Sequence, residues 1–233
     1  MAEIETIPNV PDAQLQVVLG DLKFEGLEVV EAAKQADGSW TFKVRRASKP
    51  QTGTPPVAKA VVPPEWMPNC TMKRIICHWT AGGYRAGDHD RECYHILVEG
   101  DGRLVRGDHS IDDNVSTGDD DYAAHTLGCN TQSIGISVCC MANAEESPFK
   151  TGPCPMTREQ WEVLAQVAAQ LAKRYGIPVT RTTILGHGEV QDLLNKAQKQ
   201  KWDPLVLPWE PGTPKRTVGD RFRARVAELL AGS

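Results

Sequence analysis

Long apolar runs are missing from this sequence. No stretch approaches the roughly 20 apolar residues that span a bilayer, so membrane insertion is not expected. The opening Met1-Ala2-Glu3-Ile4-Glu5 is acidic where a secretory leader is basic and then apolar, which predicts synthesis in the cytoplasm without a signal peptide. An excess of cations is missing too. Lys and Arg total 26 against 30 Asp and Glu, a formal charge of -4, so there is no surplus to neutralise a phosphate backbone and nucleic acid is not an expected partner. Cysteine pairing is the third absence. The seven cysteines (Cys70, Cys77, Cys93, Cys129, Cys139, Cys140 and Cys154) are odd in number and form neither a C-x-x-C pair nor a four-cysteine zinc pattern. In a reducing compartment they read as mostly buried free thiols, not as a disulfide frame.

What is present is an ordinary globular composition. Hydrophobic residues make up 40% and charged residues 24%, close enough to the soluble average to exclude disorder and fibrous repeats. Prolines cluster in S-K-P-Q-T-G-T-P-P-V-A-K-A-V-V-P-P-E-W-M-P, where they remove backbone donors and favour extended chain. This divides the sequence into a small N-terminal module (1–47), a proline-rich linker (48–68) and a main domain (69–233). In the module, Leu27 to Glu31 and Trp40 to Val44 alternate in polarity around Asp37-Gly38-Ser39, the pattern of a hairpin. So short a segment scarcely buries a core alone. It is either a binding or assembly module or a strand pair packed on the main domain.

The main domain opens with an interior-strand pattern, Met72 to His78. Strand patterns recur at Tyr94 to Val98 and Arg103 to Arg106, around the turn Gly100-Asp101-Gly102, and at Ser133 to Val138. Thr157 opens a helix with a T-x-x-Q capping box, and Trp161, Leu164, Val167, Ala168, Leu171 and Tyr175 give it one apolar face. Gly176 and Pro178 end it. A strand at Thr182 to Leu185, a weaker helix from Val190 to Gln198 and a closing helix from Val218 to Leu230 complete the pattern. The expected class is α/β (α+β): a central mixed β-sheet flanked by helices, beside a small β-rich N-terminal module.

Two histidines end predicted strands in open glycine settings, His78 before Trp79-Thr80-Ala81-Gly82-Gly83 and His187 within Leu185-Gly186-His187-Gly188-Glu189. The plain reading is a pair of core histidines with internal partners; the functional one is a shared metal site. Catalytic zinc usually takes three protein donors, and Asp203, in Lys201-Trp202-Asp203-Pro204, is the candidate third, with Asp192 as the other aspartate of that segment. Two imidazoles and a carboxylate form a shell typical of hydrolytic zinc. His89 and His109 sit beside aspartates in polar turns and read as solvated. His95 adjoins Tyr94 on a strand, so its side chain points to the opposite face and packs on the sheet. Asp119-Asp120-Asp121 lacks the spacing of a calcium loop and reads as a solvated turn.

The motifs H-W-T-A-G-G, Y-H-I-L-V-E-G-D-G-R-L-V-R-G, A-H-T-L-G-C-N-T-Q-S-I-G-I, G-H-G-E-V and K-W-D-P, in that order, resemble the zinc N-acetylmuramoyl-L-alanine amidases, which share a fold with peptidoglycan recognition proteins. The resemblance spans Cys70 to Pro204. It implies one zinc held by His78, His187 and Asp203, and peptidoglycan or a muropeptide as substrate. It implies that Tyr94 matches a tyrosine kept beside the catalytic water in the phage-lysozyme branch, and Lys201 a lysine used near the scissile carbonyl. By the same resemblance, Thr80, His125 and Asn130 fall in stretches expected to line the substrate cleft. The cytosolic recycling branch, similar in its aspartate ligand, carries a glutamate where this chain has Ser137-Val138-Cys139-Cys140. Leu205 stands where a glycine often follows D-P, and the segment from His187 to Asp203 is longer than usual. The missing secretory leader, the tyrosine in the phage-type position and the appended N-terminal module favour a phage or prophage endolysin that reaches the cell wall after release. The alternatives are a recycling amidase acting on anhydro-muropeptides and a non-catalytic peptidoglycan-binding module on the same fold.

Overall fold

A computed structural model describes residues 4–15, 18, 19, 22, 27–46 and 60–232. Their strands are β1 (Ile4–Val10), β2 (Leu27–Lys34), β3 (Trp40–Arg46), β4 (Arg74–Trp79), β5 (Ile96–Val98), β6 (Leu104–Arg106), β7 (Ser133–Val138) and β8 (Ile184–Gly186). The α-helices are α1 (Asp88–Cys93), α2 (Arg158–Tyr175), α3 (Val190–Leu194) and α4 (Lys215–Ala231). The expected mixed α/β class is what these elements form. No helix among the described residues is long and apolar enough to cross a membrane.

The N-terminal strands make an antiparallel sheet ordered β1-β3-β2. The anticipated hairpin turns at Gly38, whose φ of 85° lies in the left-handed region, with the Asp37 carboxylate accepting from the Ser39 amide at 2.9 Å. Strand β1 lacks a strong alternating signal and was not anticipated. The sheet has a small cluster of its own, Val10, Leu22, Phe42 and Val44. The part of the proline-rich stretch from 47 to 59 lies outside the described residues. From Ala60 onward the chain is fastened to α2: Gln166 Oε1 accepts from the Ala60 amide at 2.7 Å, and Gln170 bonds both Ala60 O and the Val62 amide. Val62 is buried there.

The main sheet has the order β6-β5-β7-β4-β8, parallel except for the edge hairpin β5–β6. Parallel strands are usually covered on both faces, which explains the unbroken apolar runs of β4 and β7. Alternation along β4 divides the two faces. Ile75, Cys77 and Trp79 join the large cluster that includes Val163, Leu164, Val167, Ala168 and Leu171 of α2, while Ile76 joins Leu185 and Val190 on the other side. His78 follows Ile76 in the pleat and therefore faces away from α2.

Local signals held where they were strongest. Thr157 caps α2, its hydroxyl accepting from Gln160 N at 3.0 Å while Gln160 Oε1 accepts from Thr157 N at 3.1 Å, and Gly176 closes the helix at φ 64°. The helix expected over 190–198 stops at Leu194, because Asn195 takes the left-handed conformation (φ 52°) and breaks the ladder. Helix α4 seats Val218, Phe222 and Val226 in the same core as α2, and Phe222 meets Trp161 edge-on at 5.6 Å.

Candidate metal centre

Strands β4 and β8 are parallel neighbours in register, with Cys77 opposite Gly186. The next residues, His78 and His187, therefore emerge side by side at the carboxyl ends of the strands, where sheets of this kind commonly build their sites. Asp203 arrives from the following loop. Its carbonyl accepts from Gly188 N at 2.8 Å. A side chain at Gly188 would press on Leu205 and on the Trp202 backbone, so glycine there permits the approach. The buried Leu205 packs into the same space.

The three side chains converge. His78 Nδ1 lies 3.1 Å from His187 Nδ1 and 3.2 Å from Asp203 Oδ2, and His187 Nδ1 lies 3.3 Å from the same oxygen. Tetrahedral ligands at roughly 2.0 Å from a zinc ion are separated by about 3.3 Å, so the donor triangle has the size of one face of such a shell. Among the described residues this is the one group of three His, Cys, Asp or Glu side chains close enough to hold a metal. Asp192 is exposed on α3 and takes no part.

Protonation states suit ligation. Burial pushes His78 down to about 4, against the hydrogen bond to Asp203 that raises it, so the ring is neutral near pH 7. Burial alone would raise Asp203. The hydrogen bonds with His187 and His78 outweigh it and hold the carboxyl well below the usual carboxylate range. A neutral ring at His78 and an ionised carboxylate at Asp203 are the forms a metal requires.

The remaining expected residues divide. Tyr94, half-buried at the end of α1, has its ring 5.0 Å from that of His78. Burial first, then the charge of Asp203, raise its hydroxyl pKa, so it keeps its proton at neutral pH. Lys201 is exposed, and its charge contributes to lowering His78. Thr80 turns its hydroxyl to the Gly82 amide at 3.1 Å, and Asn130 caps the Thr126 amide at 2.7 Å, so both shape loops. His125, expected on the cleft wall, is instead buried behind His78: its Nδ1 lies 3.3 Å from His78 Nε2. Its ring sits on Gly135 of β7, where any side chain would collide with it. His125 Nε2 donates to Ser133 O at 3.3 Å, so Nδ1 is an acceptor, faced by the Thr126 hydroxyl at 2.8 Å and by His78 Nε2 at 3.3 Å. His95 packs against the sheet as expected, bonded to Asn114 and to the Gly135 amide.

Two neighbours were not singled out from sequence. Gln198 Oε1 lies 2.9 Å from His187 Nε2. Glu189, two residues after His187, accepts from the Gly186 amide at 2.9 Å and from both terminal nitrogens of Arg223 on α4 at 2.8 and 2.9 Å. Capping-box spacing from Gly186 to Glu189 hints at the first of the Glu189 contacts; nothing local hints at Arg223.

These features define a class: a mixed-sheet α/β protein with a histidine–histidine–aspartate constellation, suited to a divalent cation, at the carboxyl ends of parallel strands. Residues 68–205 match the family model described as N-acetylmuramoyl-L-alanine amidase, Amidase_2. That is more than half of the chain, and the chain belongs to this family. No curated protein matches it in sequence. Membership marks it as a hydrolase of the N-acetylmuramoyl-L-alanine amidase kind, a family directed at peptidoglycan.

Proposed function

We propose that this chain is a zinc-dependent peptidoglycan hydrolase that cleaves the amide between N-acetylmuramic acid and L-alanine, and that it serves as a phage or prophage endolysin acting on the cell wall. The observation that carries the metal reading is the triangle of His78 Nδ1, His187 Nδ1 and Asp203 Oδ2, with edges of 3.1 to 3.3 Å. Held there, zinc supplies Lewis-acid polarisation of the lactyl carbonyl and lowers the pKa of water to about 7. The protein supplies the rest. Asp203 contributes the only negative charge of the donor set, which leaves a divalent ion net positive toward the substrate. Lys201, exposed two residues earlier in the chain, offers a fixed cation to the charge that develops on the carbonyl oxygen. Tyr94 holds its proton and acts as a donor, orienting water beside His78 and presenting a hydrogen bond to the leaving L-alanine nitrogen.

The endolysin role is supported by Tyr94 beside His78 and by Ser137-Val138-Cys139-Cys140, which provides no carboxylate where the recycling enzymes place one. Mass spectrometry of digested sacculi tests the reaction: free stem peptides beginning with L-alanine are expected, and new reducing sugar ends would refute it. Action confined to soluble anhydro-muropeptides would overturn the endolysin role while leaving the chemistry standing. Asp203→Ala is expected to lose zinc and activity together, and undiminished zinc content would reject the site.

A further inference from the structure

A neutral imidazole offers one nitrogen to a cation while the other carries a proton, so a metal-binding histidine needs an acceptor behind it. For His187 the acceptor is the side chain of Gln198, whose Oε1 lies 2.9 Å from Nε2. The orientation of that amide follows from its other end. Gln198 Nε2 lies 2.8 Å from the carbonyl oxygen of Leu127, which only accepts, so the NH2 group belongs there and the oxygen faces the ring. His187 then carries its proton on Nε2. The lone pair on Nδ1 points to the space shared with His78 Nδ1 and Asp203 Oδ2.

Gln198 is itself firmly placed. It is 3% exposed, and its own amide donates to Gln191 Oε1 of α3 at 3.2 Å. Lys199 and Gln200 follow with φ of 50° and 57°, two successive non-glycine residues in the left-handed region. Such backbone persists only where its surroundings over-determine it. Here the turn drops the Gln198 side chain inward and returns the chain to Asp203. The long stretch between the second and third donors thus reaches back to the first of them, and through Leu127 also ties down the loop that carries His125.

We infer that Gln198 is a positioning residue of the metal centre, fixing His187 in the Nε2–H form and aiming Nδ1 at the cation. The inference rests on reading the His78–His187–Asp203 cluster as a metal site. Zinc affinity, measured by competition with a chromogenic chelator, and imidazole 1H–15N spectra of the zinc-loaded protein test it. Gln198→Leu is expected to weaken zinc binding about 10- to 100-fold and to abolish the exchange-protected Nε2–H resonance of His187. Gln198→Glu keeps an acceptor toward the ring but removes the donor to Leu127, and is expected to stay within a few-fold of wild type. Unchanged affinity in Gln198→Leu overturns the inference. So does a Gln198→Glu protein as weak as the leucine variant, which would assign the effect to the Leu127 tether. Should the leucine variant not fold, the wild type decides alone: zinc-loaded protein without a protected Nε2–H on His187 also overturns it. A wild type that binds no zinc removes the metal reading itself, a result distinct from wild-type binding that Gln198→Leu leaves intact.

Discussion

At the scale of single residues, His95 shows how burial couples protonation to stability. The Gly135 amide donates to its Nδ1 at 3.0 Å, and its Nε2–H faces Asn114 Oδ1 at 3.0 Å, an arrangement open only to the neutral ring. Burial pushes its pKa down to about 4, opposed by the Asn114 bond. The folded value therefore lies below the unfolded one, near 6.5. Above that pH neither state binds the proton; as pH falls from about 6.5 to about 4 the unfolded chain takes it up and the folded chain does not. Stability present at neutral pH is lost across that window, at about 1.4 kcal/mol per pH unit for one proton. Urea unfolding between pH 7 and 4.5 is expected to show a slope steeper by about one proton in wild type than in His95→Gln. Identical slopes would contradict the assignment. His78 and His125, also depressed by burial, titrate in the same direction and remain in the variant.

At the scale of elements, α4 matters through one buried ion pair. Arg223 and Glu189 side chains are 7% and 8% exposed, and Arg223 also donates to the Ile184 carbonyl of β8. Removing one partner strands a charge in the interior, whereas removing both does so far less. Arg223→Met is expected to cost about 3–5 kcal/mol in denaturant unfolding; adding Glu189→Gln to it should recover part of that loss. A double variant no more stable than the single one would show that the pair is not the source. Neither this pair nor Gln198 was legible in the sequence, because each depends on a partner brought in from a distant segment. What was legible is local or periodic. The capping box at Thr157, the apolar face of α2, the interior runs of β4 and β7, and the two histidines at strand ends all announce themselves within a few residues. Helix α1 and the 3-10 turn at Ile111–Val115 are too short to show a period. His125 was legible as a site residue but not as a buried one, since only the fold reveals that Gly135 makes room for its ring.

At the scale of the whole molecule, we propose that the N-terminal strands and the amidase domain are separate units. Their apolar clusters share no residue, and Gln166 and Gln170 clasp the chain at Ala60 and Val62, where the second unit's packing begins. A protein of residues 60–233 is expected to melt within a few degrees of the full chain and to cleave soluble muropeptides at the full rate, read by calorimetry and chromatography. Loss of the cooperative transition on truncation would join the two units into one. Sedimentation with purified sacculi then isolates the contribution of the first 59 residues: weaker retention of the shorter protein assigns them to wall attachment.

The other end of the chain obeys a different logic. The match to the amidase family ends at Leu205, yet the guanidinium that neutralises Glu189 arrives with Arg223. Cutting the gene where that match ends would remove both the guanidinium that pairs with Glu189 and the helix that covers it, and would uncover the core face that Val218, Phe222 and Val226 seal. A fragment that keeps this site is thus expected to reach into the last helix, for charge and for packing alike.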